Sequence, residues 1–314
     1  MLRLHRALHT SRACFQHAEP AAAAREEITA YLKYFKTPKD LRPLVYRKRN
    51  ASELLSRDLW DPVAKERIVP LEPPSLPSKS ALAKLFDSAD SVDELYELRE
   101  VMLNLARKPK YTTSYHIIAF LEKSAGLRKL PHALTYIYTQ EHLRHVFDAD
   151  VTNIILTYIY INPRKSLLNA ISKAETAESK IGHKNQITDL LKASIYQKNG
   201  AQIPQALLEQ ITSAEALELP SLNTSKVQDG LAKQYRDKRA IYLQLNPIVR
   251  ELSEAPVLKG ISTVVAAKEF VSQFKQIQEK LETKDAFQSI INKSIFRRPR
   301  QPAAAQAEKP EAEA

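Results

Sequence analysis

Apolar positions recur along the middle of this chain in a double rhythm: helical spacing within short runs, and a return of the runs about every 36 residues. Leu82, Ile118, Ile155 and Leu191 stand 36, 37 and 36 positions apart. They lie within the runs Ala81 to Phe86, Tyr115 to Leu121, Val151 to Tyr160 and Ile187 to Ile195. A second run follows each: Val92 to Leu105, Pro131 to Leu143, Arg164 to Ala174 and Pro204 to Ile211. Pro131-His132-Ala133-Leu134 also returns as Pro204-Gln205-Ala206-Leu207, 73 positions on, with Gly126 and Gly200 a few residues upstream. Pro131, Pro163 and Pro204 fit helix starts, where the missing N–H and preset φ do no harm.

Paired runs of this length predict four helical hairpins. One hairpin buries too little apolar surface to offset the entropy of ordering it, so its apolar face must be covered by neighbouring hairpins. The expected fold is all-α: a right-handed α-solenoid of helical hairpins over residues 79–215, with a groove suited to an extended partner.

The flanks follow other patterns. Residues 15–78 show no sustained period and are rich in Pro, Arg and aromatics, which predicts an extended basic and aromatic arm, closed by Pro73, Pro74 and Pro77. Past Leu219-Pro220-Ser221, with Ser225 as an N-cap, residues 222–296 carry three apolar stripes. These are Leu231, Tyr235, Ile241, Leu245 and Val249; then Ala267, Phe270, Val271, Phe274, Ile277 and Leu281; then Phe287, Ile290 and Ile291. They predict a C-terminal helical bundle capping the array, followed by a disordered Ala/Glu/Pro tail over 297–314.

The first 14 residues read as a mitochondrial presequence. Residues 1–18 hold Arg3, Arg6 and Arg12 and no acid, and Leu4, Leu8 and Phe15 share one side of a helical wheel. The string Leu8-His9-Thr10-Ser11-Arg12-Ala13 resembles the ends of fungal mitochondrial presequences, with cleavage expected just after Arg12. The sole cysteine, Cys14, lies within or beside this segment, which argues against disulfides, Cys-zinc sites and thiol nucleophiles in the mature chain.

Charge points to an anionic partner. The 314 residues carry a formal +11, and the loss of three presequence arginines would leave +8. In the arm, Lys33, Lys36, Lys39, Arg42, Arg47, Lys48, Arg49 and Arg57 interleave with Tyr31, Tyr34, Phe35, Tyr46 and Trp60, with only Asp40 and Glu53 between 31 and 57. Basic side chains neutralise phosphates, and aromatics stack on bases or fill pockets. Arg47-Lys48-Arg49 is the foremost candidate for RNA contact, with Lys33, Lys36 and Arg42 beside it and Arg297 and Arg298 at the far end.

Catalysis finds little support. The five glycines, at 126, 182, 200, 230 and 260, never come close enough to form a phosphate-cradling loop. His142 and His145, near Glu141 and Asp148, lack the third ligand and helix-borne Glu of a zinc hydrolase. No enzyme, metal or cofactor is expected.

The segment Thr113-Ser114-Tyr115-His116-Ile117-Ile118-Ala119-Phe120-Leu121, with Gly126 and Ala133-Leu134-Thr135-Tyr136-Ile137-Tyr138, resembles a degenerate pentatricopeptide repeat. Asp150-Val151-Thr152-Asn153-Ile154-Ile155 resembles the opening of the next copy. The resemblance covers roughly residues 78 to 212 and implies RNA binding, with His116 and Asn153 at the positions that read base edges. The companion specificity residue is not recognisable and the later copies lack the opening triplet, so a scaffold is favoured over a base-by-base code.

Taken with the presequence and the basic arm, the chain is similar in kind to accessory proteins of the fungal mitochondrial small ribosomal subunit. That implies a structural, RNA-associated component of the mitochondrial ribosome, bound to ribosomal RNA and neighbouring ribosomal proteins in the matrix. Two other readings are a free RNA-binding factor, such as a translational activator or transcript stabiliser, and an assembly factor for a respiratory complex.

Overall fold

The computed structural model describes residues 22–60, 65, 67–106, 110–162 and 166–294. Among these residues every regular element is helical, and β pairing is limited to an isolated antiparallel bridge between Trp60 and Arg67. None of the helices is long and apolar enough to cross a membrane. The chain divides into two compact units, residues 1–123 and 124–314. The segments expected to be a presequence (1–14) and a C-terminal tail (297–314) lie outside the described residues.

In the first unit, helix α1 (residues 22–36) precedes α2 (Arg42–Tyr46), a 3-10 turn (Lys48–Asn50) and α3 (Ala51–Ser56). The expected extended arm is thus largely folded. Val45, Tyr46 and Leu54 form a small core, with Tyr34, Leu44, Leu59 and Ile68 packed against it. Apart from Tyr34 on α1, its apolar residues come from segments too brief to show a period. The hairpin α4 (Lys79–Ser88) and α5 (Val92–Ala106) follows, then the start of α6 (Ser114–Gly126). Ser78 caps α4 by accepting from the Ala81 N–H at 3.2 Å, and Phe86 meets Phe120 of α6 with ring centroids 5.8 Å apart.

The second unit holds α7 (Leu130–Thr139), a 3-10 turn (Glu141–Val146), α8 (Ala149–Ile161), α9 (Leu167–Ile181), α10 (Gln186–Lys198) and α11 (Gln205–Ser213). These helices, like α4 to α6, stand where the 36-residue rhythm puts them. Asp148 caps α8 through the Val151 N–H, and Asn185 and Thr188 form a reciprocal capping box at α10. At the end of α9 the chain turns through Gly182, whose φ of +77° favours glycine.

Helices α12 (Gln228–Leu252), α13 (Ser262–Lys280) and α14 (Ala286–Ser294) complete this unit. They form no separate cap: α12 lies against both α8 and α10, and α14 also reaches α8. Enclosed by α9, α10, α12 and α14, α8 is buried continuously from Val151 to Ile161. Each Ile or Leu buried there contributes about 1.5–3 kcal/mol. The face shared by α8 and α10 is therefore covered by the chain's own α12. The α13 stripe packs against α12 through Phe274, which stacks on Tyr242 at 4.3 Å.

Candidate nucleic-acid interface

The basic surface of the first unit is built on α1 and on the turn between α2 and α3. Lys33 and Lys36 lie three residues apart on α1 and are exposed, as is Lys39 beyond it. Pro43 at the start of α2 and the burial of Val45 and Tyr46 fix the next turn, so that Arg47, Lys48 and Arg49 project into solvent. Among the described residues no carboxylate lies within ion-pairing distance of Lys33, Lys36, Arg47 or Arg49. Lys48 meets Glu72 at 2.9 Å, and this contact raises the lysine pKa and lowers that of the glutamate. Both side chains are at least 80% exposed, so the pair is weak enough for a phosphate to displace the carboxylate.

Arg42 is differently engaged. Its Nε donates to the Thr37 carbonyl at 2.8 Å and its Nη2 to the Phe35 carbonyl at 2.6 Å. The guanidinium also lies 5.1 Å from the Tyr34 ring centroid and 5.5 Å from that of Phe35. It thereby closes the C-terminal end of α1, where free carbonyls attract a cation. This corrects its assignment as an RNA contact. The aromatics of the stretch also turn inward: Tyr31 and Tyr46 are buried, Tyr34 packs edge-on to Tyr46 at 4.8 Å, and Phe35 packs on Tyr31 at 4.9 Å. Trp60 is the exception and remains exposed.

His116 and Asn153 do not face a partner, and their base-reading assignment is corrected. His116 is 2% exposed; its Nδ1 accepts from the Thr113 N–H at 3.1 Å, so its proton lies on Nε2, 2.9 Å from the Lys79 carbonyl. Burial lowers its pKa, partly offset by the hydrogen bond to the Lys79 carbonyl. The ring joins the loop before α6 to the start of α4.

Asn153 is fully buried in α8. Its Nδ2 donates to Asn185 Oδ1 at 3.0 Å and Gln244 Oε1 at 3.3 Å, while its Oδ1 accepts from Thr188 Oγ1 at 2.7 Å. Gln244 Nε2 in turn donates to Asp150 Oδ1 at 3.3 Å, and burial raises the pKa of that carboxyl. No base edge could bind Asn153 without breaking this network. The sequence held one clue to it, the Asn185-x-x-Thr188 capping pattern. Gln244, a polar residue outside the apolar stripe read for its helix, carried nothing to mark it as interior.

His142 and His145 fall on the 3-10 turn, and no group of three His, Cys, Asp or Glu suited to a metal occurs among the described residues. Arg297 and Arg298 lie outside the described residues. Among the described residues the exposed candidates are therefore Lys33, Lys36, Arg47, Lys48 and Arg49, all in the first unit.

A family model described as the MRP13-like N-terminal domain, from a mitochondrial ribosomal protein-like family, matches residues 4–88. The matched segment contains α1, α2, α3, α4 and every one of those basic side chains, and ends before the second hairpin begins.

Proposed function

We propose that the protein is a structural, non-enzymatic component of the mitochondrial ribosome, in its small subunit, where the basic surface of the first unit grips ribosomal RNA and the helical body meets neighbouring proteins. The observation that carries this reading is a coincidence of position. The segment similar to a mitochondrial ribosomal protein-like family is the one that presents exposed Lys33, Lys36, Arg47 and Arg49, without an acid partner among the described residues, on a folded support. Between residues 31 and 57 eight basic residues face two acids, a net +6 suited to phosphate. A mitochondrial matrix location follows from the same reading. The assembly-factor alternative relies on an open groove, whereas the face formed by α8 and α10 is covered by α12; a free RNA-binding factor would need more intact repeats than four.

Sedimentation of mitochondrial extract tests the proposal. The protein should co-migrate with the small ribosomal subunit at moderate salt, and a K33A/K36A/R47A/R49A variant should shift toward lighter fractions. Recovery of the wild-type protein as a light species, free of ribosomal RNA, would refute it.

A further inference from the structure

We propose that Trp60 is a stacking platform for an unpaired RNA base, and that it works with Arg47 and Arg49, which hold flanking phosphates. This deepens the functional reading above and rests on it. Among Tyr31, Tyr34, Phe35, Tyr46 and Trp60, the first four build the fold, whereas Trp60 is 59% exposed and has no ring or cation stacked on it among the described residues. Its exposed indole offers a large flat apolar face on which a partner ring can stack.

The backbone holds this ring outward. Leu59 and Ile68 pack on the small core, and the Ile68 N–H donates to the Leu59 carbonyl at 2.8 Å. Side chains alternate along extended chain, so Trp60, Arg67 and Val69 share the opposite, outward face. Arg67 is tied back to the end of α3: its Nε lies 2.8 Å from Asp58 Oδ1 and its Nη2 donates to the Leu55 carbonyl at 3.0 Å. Backbone held in this way loses little freedom on binding.

The same extended segment connects the ring to the basic turn. Residue 67 pairs with Trp60, and the N–H of Leu71 donates to the Val45 carbonyl at 2.8 Å, just before Arg47-Lys48-Arg49. Four residues of chain separate these two points, a reach of at most roughly 14 Å, which a short single strand covers. Arg47 and Arg49 have no acid partner among the described residues, so the charge beside the ring favours a nucleic-acid strand. Tryptophan accepts any base, because every base has a π-face.

Trp60 is the only tryptophan in the chain, so intrinsic fluorescence reports on this site alone. The full chain is titrated with a single-stranded oligouridylate and, separately, with inorganic polyphosphate, which has charge but no bases. Quenching by the oligonucleotide and none by polyphosphate is expected. Trp60→Leu should weaken binding of a labelled oligonucleotide roughly 5- to 100-fold and leave polyphosphate binding unchanged. An R47A/R49A variant should weaken both. Oligonucleotide binding with unquenched emission and unchanged affinity in Trp60→Leu would overturn the stacking role while leaving the functional reading intact. No binding of either ligand by the wild-type chain would remove both. A blue shift on adding RNA-free small-subunit proteins, with no response to RNA, would assign the ring to a protein pocket and overturn the proposal.

Discussion

The side-chain amide of Asn153 donates to Gln244 Oε1 at 3.3 Å, joining α8 to α12 across 91 positions of sequence. Both residues are fully buried, so the bond forms away from water. Asn153→Ala would leave Thr188, Asn185 and Gln244 short of a partner at once. Urea denaturation should show a loss of about 2–4 kcal/mol. A double-mutant cycle with Gln244→Ala should give a coupling of about 0.5–3 kcal/mol, and zero coupling would mean that the two amides do not act together.

Removing phosphate contacts has a different signature. If Lys33, Lys36, Arg47 and Arg49 each neutralise one phosphate of a single strand, changing all four to Ala should reduce the slope of log affinity against log salt by about 3. Unfolding midpoints should barely move, because these side chains are exposed. An unchanged slope would detach this surface from RNA.

Arg42→Ala should behave in the opposite way. With the Phe35 and Thr37 carbonyls and two aromatic faces deprived of their cation, the first unit should lose about 1–3 kcal/mol. The salt slope of RNA binding should stay as in the wild type. A reduced slope with unchanged stability would return Arg42 to the phosphate contacts.

His116 gives the protein a pH dependence of defined sign. Its pKa in the folded chain lies below the unfolded value of about 6.5, so the unfolded chain takes up the proton first as pH falls. The neutral ring's contribution is complete above about pH 6.5 and is lost as the pH drops through the depressed folded value. The melting temperature should therefore fall on acidification below that point, and His116→Gln should flatten the fall. Equal slopes for the two proteins would exclude this histidine as the source.

Hairpin positions were legible in the sequence because each helix from α4 to α11 is long enough to show its period. Leu82, Ile118, Ile155 and Leu191 are all buried, as anchors of a repeating core should be. The folded start of the chain was not legible. Tyr34, Val45, Leu54 and Ile68 converge from segments that separately resemble loop, and their proximity depends on turns no periodicity announces. Composition identified the basic stretch but could not separate Arg42, which faces inward to backbone carbonyls, from Arg47, which faces water. Asn153 was misread for a related reason: in sequence, an amide that satisfies other buried amides looks the same as one that reads a base.

The position of α12 across α8 and α10 sets an order on how the second unit can be completed. Helical-repeat arrays ordinarily grow one neighbour at a time, since each unit touches only the next. Here the apolar surfaces of residues 151–161 and 187–195 must wait for Tyr242 to Ile248 before they are covered. A chain ended before residue 228 would retain every hairpin yet present a bare apolar face, making it prone to self-association. The last helices thus act as the lock of the fold, and the second unit should unfold as one cooperative body.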